Sequence, residues 1–178
     1  MPYDPAVSVA AREGAGSAHV NHATPRLRRG LGRLLGLEAG GDGASAEDLA
    51  AASGRLLDRL SQQLSQVVGD GGVTALLLRA ANLSRREFPF LDARIVAVEG
   101  EGSRGELLRT CLRKQEAEDI RKAAVTLFAT VVGLVVTLVG EKLAWSLLRE
   151  VWPAPLRSEA AFEENEEWQS SAGCPSTG

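Results

Sequence analysis

The stretch Ala123–Gly140, AAVTLFATVVGLVVTLVG, decides the fold of this chain. It runs for eighteen residues without a charge between Lys122 and Glu141, and half of it is Val or Thr. That β-branched content invites a strand, yet strands rarely exceed about ten residues and no turn cluster interrupts this run. Helix is the element that fits. The same length reaches the lower part of the range for a membrane-crossing helix, about 17–25 residues. The periodicity inside it then matters. Asp119, Lys122, Thr126, Thr130, Gly133, Thr137, Gly140 and Glu141 recur at spacings of three and four, so one narrow stripe is small or polar. Every other direction carries Leu, Val or Phe128. In a bilayer such a stripe is a contact between helices. In a soluble bundle it is the side that meets a neighbour or reaches water, while partner helices wrap the rest.

Outward from this stretch, Leu143, Trp145, Leu147, Leu148, Val151 and Trp152 continue an apolar side as far as Pro153. The pattern predicts one element of about 35 residues, roughly 50 Å long at 1.5 Å per residue. Upstream, Ser45 with Asp48 forms an N-terminal capping signature. Leu49, Leu56, Leu60, Leu64 and Val67 recur after it at helical spacing, to a stop at Gly69-Asp-Gly-Gly72. A second helix is expected over 73–86, with Val73, Leu76, Leu77, Ala80 and Leu83 inward. It ends where Pro89 disfavours helical geometry at Phe88. Ser103 and Glu106 read as a further capping box, opening a helix over 104–115 with Leu107, Leu108, Cys111 and Leu112 on its apolar side.

These amphipathic helices need a surface for their Leu faces, and the uncharged rod needs cover. An all-α bundle, with a long central apolar helix wrapped by shorter amphipathic ones, meets both needs. Its expected core is Leu49, Leu56, Leu60, Leu64, Leu76, Leu77, Phe88, Leu108, Phe128, Leu134, Val135, Leu138 and Trp145. The bundle is expected over 45–153. Residues 1–44 read as a disordered basic arm with a short amphipathic helix over 26–37, and 154–178 as a disordered acidic tail. In that arm, Leu27, Leu31, Leu34 and Leu35 share a face, with Arg26, Arg29 and Arg33 mostly elsewhere, and the expected role of that face is to cover a corner of the core, with lipid or a partner as the alternative.

Charge separates the ends. The formal net charge is −3, but residues 1–37 hold five Arg against Asp4 and Glu13, whereas 157–178 hold Arg157 against five Glu. Nothing here is basic enough to expect nucleic-acid binding by counterion release. Two cysteines, Cys111 and Cys174, rule out a disulfide scaffold and a multi-cysteine zinc site.

The pieces Gly72-Val-Thr-Ala-Leu-Leu-Leu-Arg79, Glu87-Phe-Pro-Phe-Leu91, Leu138-Val-Gly-Glu-Lys-Leu143 and Leu148-Arg-Glu-Val-Trp-Pro153 resemble a family of small, uncharacterised bacterial all-helical proteins. The resemblance spans roughly 47–153 and departs from the pattern at Lys142, where an acid is expected. It implies a helical bundle and carries no known activity, cofactor or catalytic residue.

Motifs for chemistry are few. Gly100, Gly102 and Gly105 match G-x-G-x-x-G after a possible strand over 95–98 and before a helix. Against a dinucleotide loop stand Glu99 and Glu101, which put negative charge where a pyrophosphate would sit. A single strand also cannot make a parallel sheet. His19 and His22 have metal-ligand spacing but no third ligand nearby. No catalytic, cofactor or metal residues are therefore assigned. The sequence reads as a non-catalytic, cytoplasmic helical module for interaction or regulation, with an unidentified protein partner and no nucleic acid. The alternative is a single-pass membrane protein, held through 123–140 and touching lipid also through 26–37.

Overall fold

Pro25 opens the first helix, where its missing N–H and fixed φ cost nothing. The computed structural model describes residues 25–41, 43–91 and 103–151, and among them every regular element is helical. The helices are α1 (Pro25–Glu38), α2 (Ala46–Ser84), α3 (Arg104–Leu112), α4 (Ala117–Val139) and α5 (Glu141–Val151). They form the all-α bundle that the periodicities predict.

The apolar α4 lies at the centre. It packs on α2, α1 and α5, while α3 packs on α2. Ile120, Leu127, Phe128, Val131, Val132 and Val135 are buried, as are the small Ala123, Ala124 and Ala129 between them. The expected small or polar stripe points mostly outward: Asp119, Lys122, Thr137, Gly140 and Glu141 are exposed, and Thr130 and Gly133 are half-buried. Thr126 is the exception and is buried beneath α1.

The segment 26–37, read from its Leu spacing as a short helix at a corner of the core, packs on the bundle. Leu27, Leu31, Leu34 and Leu35 are all buried. Gly30, Gly32 and Gly36 each weaken a helix by about 1 kcal/mol. Four buried Leu side chains at roughly 2 kcal/mol each outweigh them. Glycine also lets α1 lie close to α4, with Gly32 against Val125 and Gly36 under the Arg121 guanidinium. The two helices run antiparallel. The remainder of the expected arm, 1–24, and the tail from 152 onward lie outside the described residues.

The helices expected over 45–68 and 73–86 are both present and meet at a kink at Gly69, whose φ of 70° and ψ of 168° leave the helical region within the span Ala46–Ser84. The Gly-rich stop therefore breaks the helix as expected. The 35-residue rod, expected to be continuous, is also broken. Gly140 takes φ 82° and ψ 159°, donates its N–H to Val136 O and ends α4. The next helix then buries Ala144, Leu148 and Val151 on one face. α3 is also shorter than expected, ending at Leu112, with a turn before Glu116 opens α4.

Most of the expected core is buried, Phe88 included. Its ring meets Phe90 edge-on, with centroids 5.8 Å apart, at the end of the core. Leu76, Leu134 and Trp145 are half-buried. Leu138 is the outlier at 60% exposure, because the chain turns at Gly140 and leaves no helix over that side.

Candidate functional surface

The glycine motif serves packing rather than phosphate binding where it can be followed. Gly100 and Gly102 lie outside the described residues, whereas Gly105 sits in the first turn of α3 against Gly54 of α2. A Cβ on Gly54 would come 2.6 Å from Gly105 O, and one on Gly105 would strike Gly54 O and the Asp58 carboxylate. The helices thus cross backbone on backbone. Asp58 then completes the start of α3. Its Oδ1 accepts the Gly105 N–H at 2.8 Å and its Oδ2 accepts the Ser103 hydroxyl at 2.8 Å. Ser103 Oγ in turn accepts the Glu106 N–H at 3.1 Å. The expected capping box is therefore only half formed, and the Glu106 carboxylate turns to Arg109. A carboxylate from α2 already complements the positive end of the α3 dipole, the place a phosphate would take.

The first capping box is complete. Ser45 Oγ accepts the Asp48 N–H at 3.2 Å, and Asp48 Oδ2 accepts the Ser45 N–H at 3.1 Å and its hydroxyl at 2.6 Å. Hydrogen bonds from the Ser45 side chain, then from its backbone, hold the Asp48 carboxyl below its ordinary pKa. On α3, Arg109 Nε donates to Glu47 Oε1 at 2.9 Å. That bond and the Glu47 charge raise the already basic guanidinium further. Arg104 reaches Thr74 Oγ1 at 3.0 Å and leaves its Nε buried without a partner. These contacts fasten α3 to α2.

No group of three His, Cys, Asp or Glu suited to a metal is found among the described residues. His19, His22 and Cys174 lie outside them, and Cys111 is half-buried on α3. The sequence missed Asp58, since nothing local connects it to Ser103, 45 positions later. The only hint was a Gly and an Asp four apart on α2.

Two surface features stand out. The first is the outer side of α1, where Arg26, Arg28, Arg29 and Arg33 are exposed. Helical spacing groups Arg26, Arg29 and Arg33 opposite the buried leucines. Arg121 from α4 adds its guanidinium beside Gly36. The one acid in α1, Glu38, is committed elsewhere. Its carboxylate accepts both Arg59 terminal nitrogens, at 2.6 and 3.1 Å, and its carbonyl accepts Arg55. Arg26, Arg28, Arg29 and Arg121 pair with no carboxylate among the described residues. The second feature is the α4–α5 corner, where Leu138 and Leu143 are 60% and 46% exposed. By length and composition α4 could cross a membrane, and half of its most apolar window is buried in the bundle.

Comparison with protein-family models, with curated proteins and with solved structures finds no match to this chain.

Proposed function

We propose that the chain is a non-catalytic, cytoplasmic helical module that binds an acidic protein partner through the outer face of α1. The observation that carries this reading is the division of labour in α1. Four buried Leu fix the helix on α4 and α2, and that anchoring holds a row of Arg side chains outward. A rigid cationic row binds carboxylates better than a flexible arm does, because less entropy is lost on contact. Arg is suited to the role by its planar, bidentate donors. Binding should therefore weaken steeply with salt. Affinity capture with native and Arg26→Glu/Arg29→Glu chains tests it. A stoichiometric partner retained by the first and lost by the second supports the reading, provided the variant's circular dichroism is unchanged. Equal capture by both overturns it.

The single-pass membrane reading keeps one observation in its favour, the apolar surface that α4 leaves uncovered at Leu138. Against it stands the use of α4's larger side chains in packing on the chain's own helices. Fractionation without detergent separates the two readings: a dispersed monomer or oligomer in plain buffer excludes the span.

A further inference from the structure

We infer that the acidic partner of α1 docks as an amphipathic helix, with carboxylates on Arg26 and Arg29 and an apolar side chain on Leu37. The inference rests on the reading of α1 as the binding face, and it adds the shape of what binds there.

Three observations carry it. The first is spacing. Positions 26, 30, 33 and 37 of α1 lie four, three and four residues apart. They therefore line up on the side of the helix turned away from the buried Leu27, Leu31, Leu34 and Leu35. An alternation of three and four is the seam along which a second helix packs. An extended chain repeats every two residues and cannot keep register with it.

The second is Leu37. At 63% exposure it is the most exposed large apolar side chain among the described residues. It ends the stripe that Arg26 begins, so the face is cationic towards one end and apolar at the other. A flexible acidic chain gains at the first end only, whereas an amphipathic helix gains at both. Gly30, between them, carries no side chain and lets a partner backbone come close in mid-stripe.

The third is charge. Arg26 and Arg29 are exposed and pair with no carboxylate among the described residues. Three positions apart on a helix, their Cβ atoms are about 5–6 Å from one another, the spacing of carboxylates one turn apart on a partner helix. Arg33 already has a partner of its own, and the contact does not need it. A lipid surface matches this face less well. An amphipathic helix enters a bilayer through a whole apolar side. That side of α1 is turned into the bundle, and Leu37 is the one exposed leucine the helix has left.

The full chain is titrated with three probes. One is a stapled helix matching the 14 residues of α1, with Glu at one-turn intervals along one face and a Leu at each end of that face, so that either direction of docking serves. The second is the same peptide, unstapled, with Pro at two central positions to forbid the helix. The third is poly-glutamate. The stapled helix should bind the native chain about tenfold more tightly than the proline peptide, the gain that covering one leucine can supply. Amide shifts should change at 26, 29, 30 and 37. Leu37→Ser, at an exposed position, should keep the native circular dichroism, bring the two peptides within about twofold of each other, and leave poly-glutamate binding unchanged. Arg26→Glu/Arg29→Glu should abolish binding of all three. Equal binding of the two peptides by the native chain, or a preference that survives Leu37→Ser, overturns the inference and leaves the α1 reading standing. A native chain that binds none of the probes, or binds them regardless of Arg26→Glu/Arg29→Glu, overturns the α1 reading itself. Leu37-dependent binding to phosphatidylglycerol vesicles, with no preference between the peptides, makes the face a lipid contact and overturns both.

Discussion

α4 is one uninterrupted helix with two surroundings. From Ile120 to Val135 most of its large apolar side chains are buried under α1, α2 and α5, with Val125 and Leu134 half-buried. In its last turn Val136 and Val139 are half-buried, Thr137 is exposed, and Leu138 stands 60% exposed. The last turn, Val-Thr-Leu-Val, is no less apolar than the stretch before it, yet it is less buried. Apolar composition records that a side chain gains by leaving water, without recording what takes water's place. In the first half the replacement is this chain's own helices. In the second the chain turns at Gly140 before any helix covers it.

The largest expected effect breaks the comparison at its buried half. Leu127→Asp places an unpaired carboxylate in a fully buried position and should cost several kcal/mol. Denaturant unfolding measures it, and a loss below about 1 kcal/mol would mean that the bundle does not wrap the first half of α4. Next comes the wall against which that half packs. Gly105→Ala drives a methyl into Gly54 O and the Asp58 carboxylate, so α3 must lift from α2. Overpacking of this kind costs about 1–3 kcal/mol. The same measurement checks it, and a neutral substitution would contradict the backbone-on-backbone crossing.

Gly140→Ala probes the boundary between the halves. No atom lies within 4 Å of the added Cβ, so only the left-handed φ of 82° opposes it. The expected loss is about 1–2 kcal/mol. If stability rises instead, α4 and α5 prefer to fuse, and Leu138 sits on a continuous rod. Ser45→Ala removes the cap of α2, the helix that faces the buried half, and should cost about 1 kcal/mol. Its partner Asp48 adds a pH signature. Because the folded pKa is depressed below 3.8, the contribution is present above that value and lost as pH falls through the lower folded pKa. Ser45→Ala should therefore flatten the acid limb of the stability profile, and an unchanged limb would mean that Asp48 contributes nothing to it.

The sequence carried the class and most of the core because both rest on period. Leu49, Leu56, Leu60 and Leu64 repeat at helical spacing, and all four are buried. Period fails where one glycine decides. The Gly69–Gly72 cluster reads as the break it makes, whereas the lone Gly140 ends a helix whose apolar pattern continues past it. The four leucines of α1 were legible as a face. Their place at a corner of the core was legible too, but the close approach to α4 was not, since Gly30, Gly32 and Gly36 read only as helix weakness. Of the candidate surface, the Arg row was legible in full, being local. The commitment of Glu38 to Arg55 and Arg59 was not, because it depends on how α1 meets α2.

The smallest expected effect bears most on what the molecule does. Leu138→Glu puts a charge on the same helix as Leu127→Asp, three turns further on. In the bundle that position already faces water, so the cost should stay within about 0.5 kcal/mol. In a bilayer, a carboxylate near this depth of a spanning helix would cost about 2.5–3.5 kcal/mol at the centre and less toward the interface. Paired denaturation of the two variants in detergent-free buffer therefore yields a ratio, large for a wrapped rod and near one for a span. Distribution between soluble and membrane fractions gives an independent reading, since a charge at Leu138 should leave a soluble bundle where it was. If Leu138→Glu moves the chain from membranes into solution, the uncovered half of α4 is a lipid contact, and the burial of the first half describes only the part of the helix that the bundle can reach.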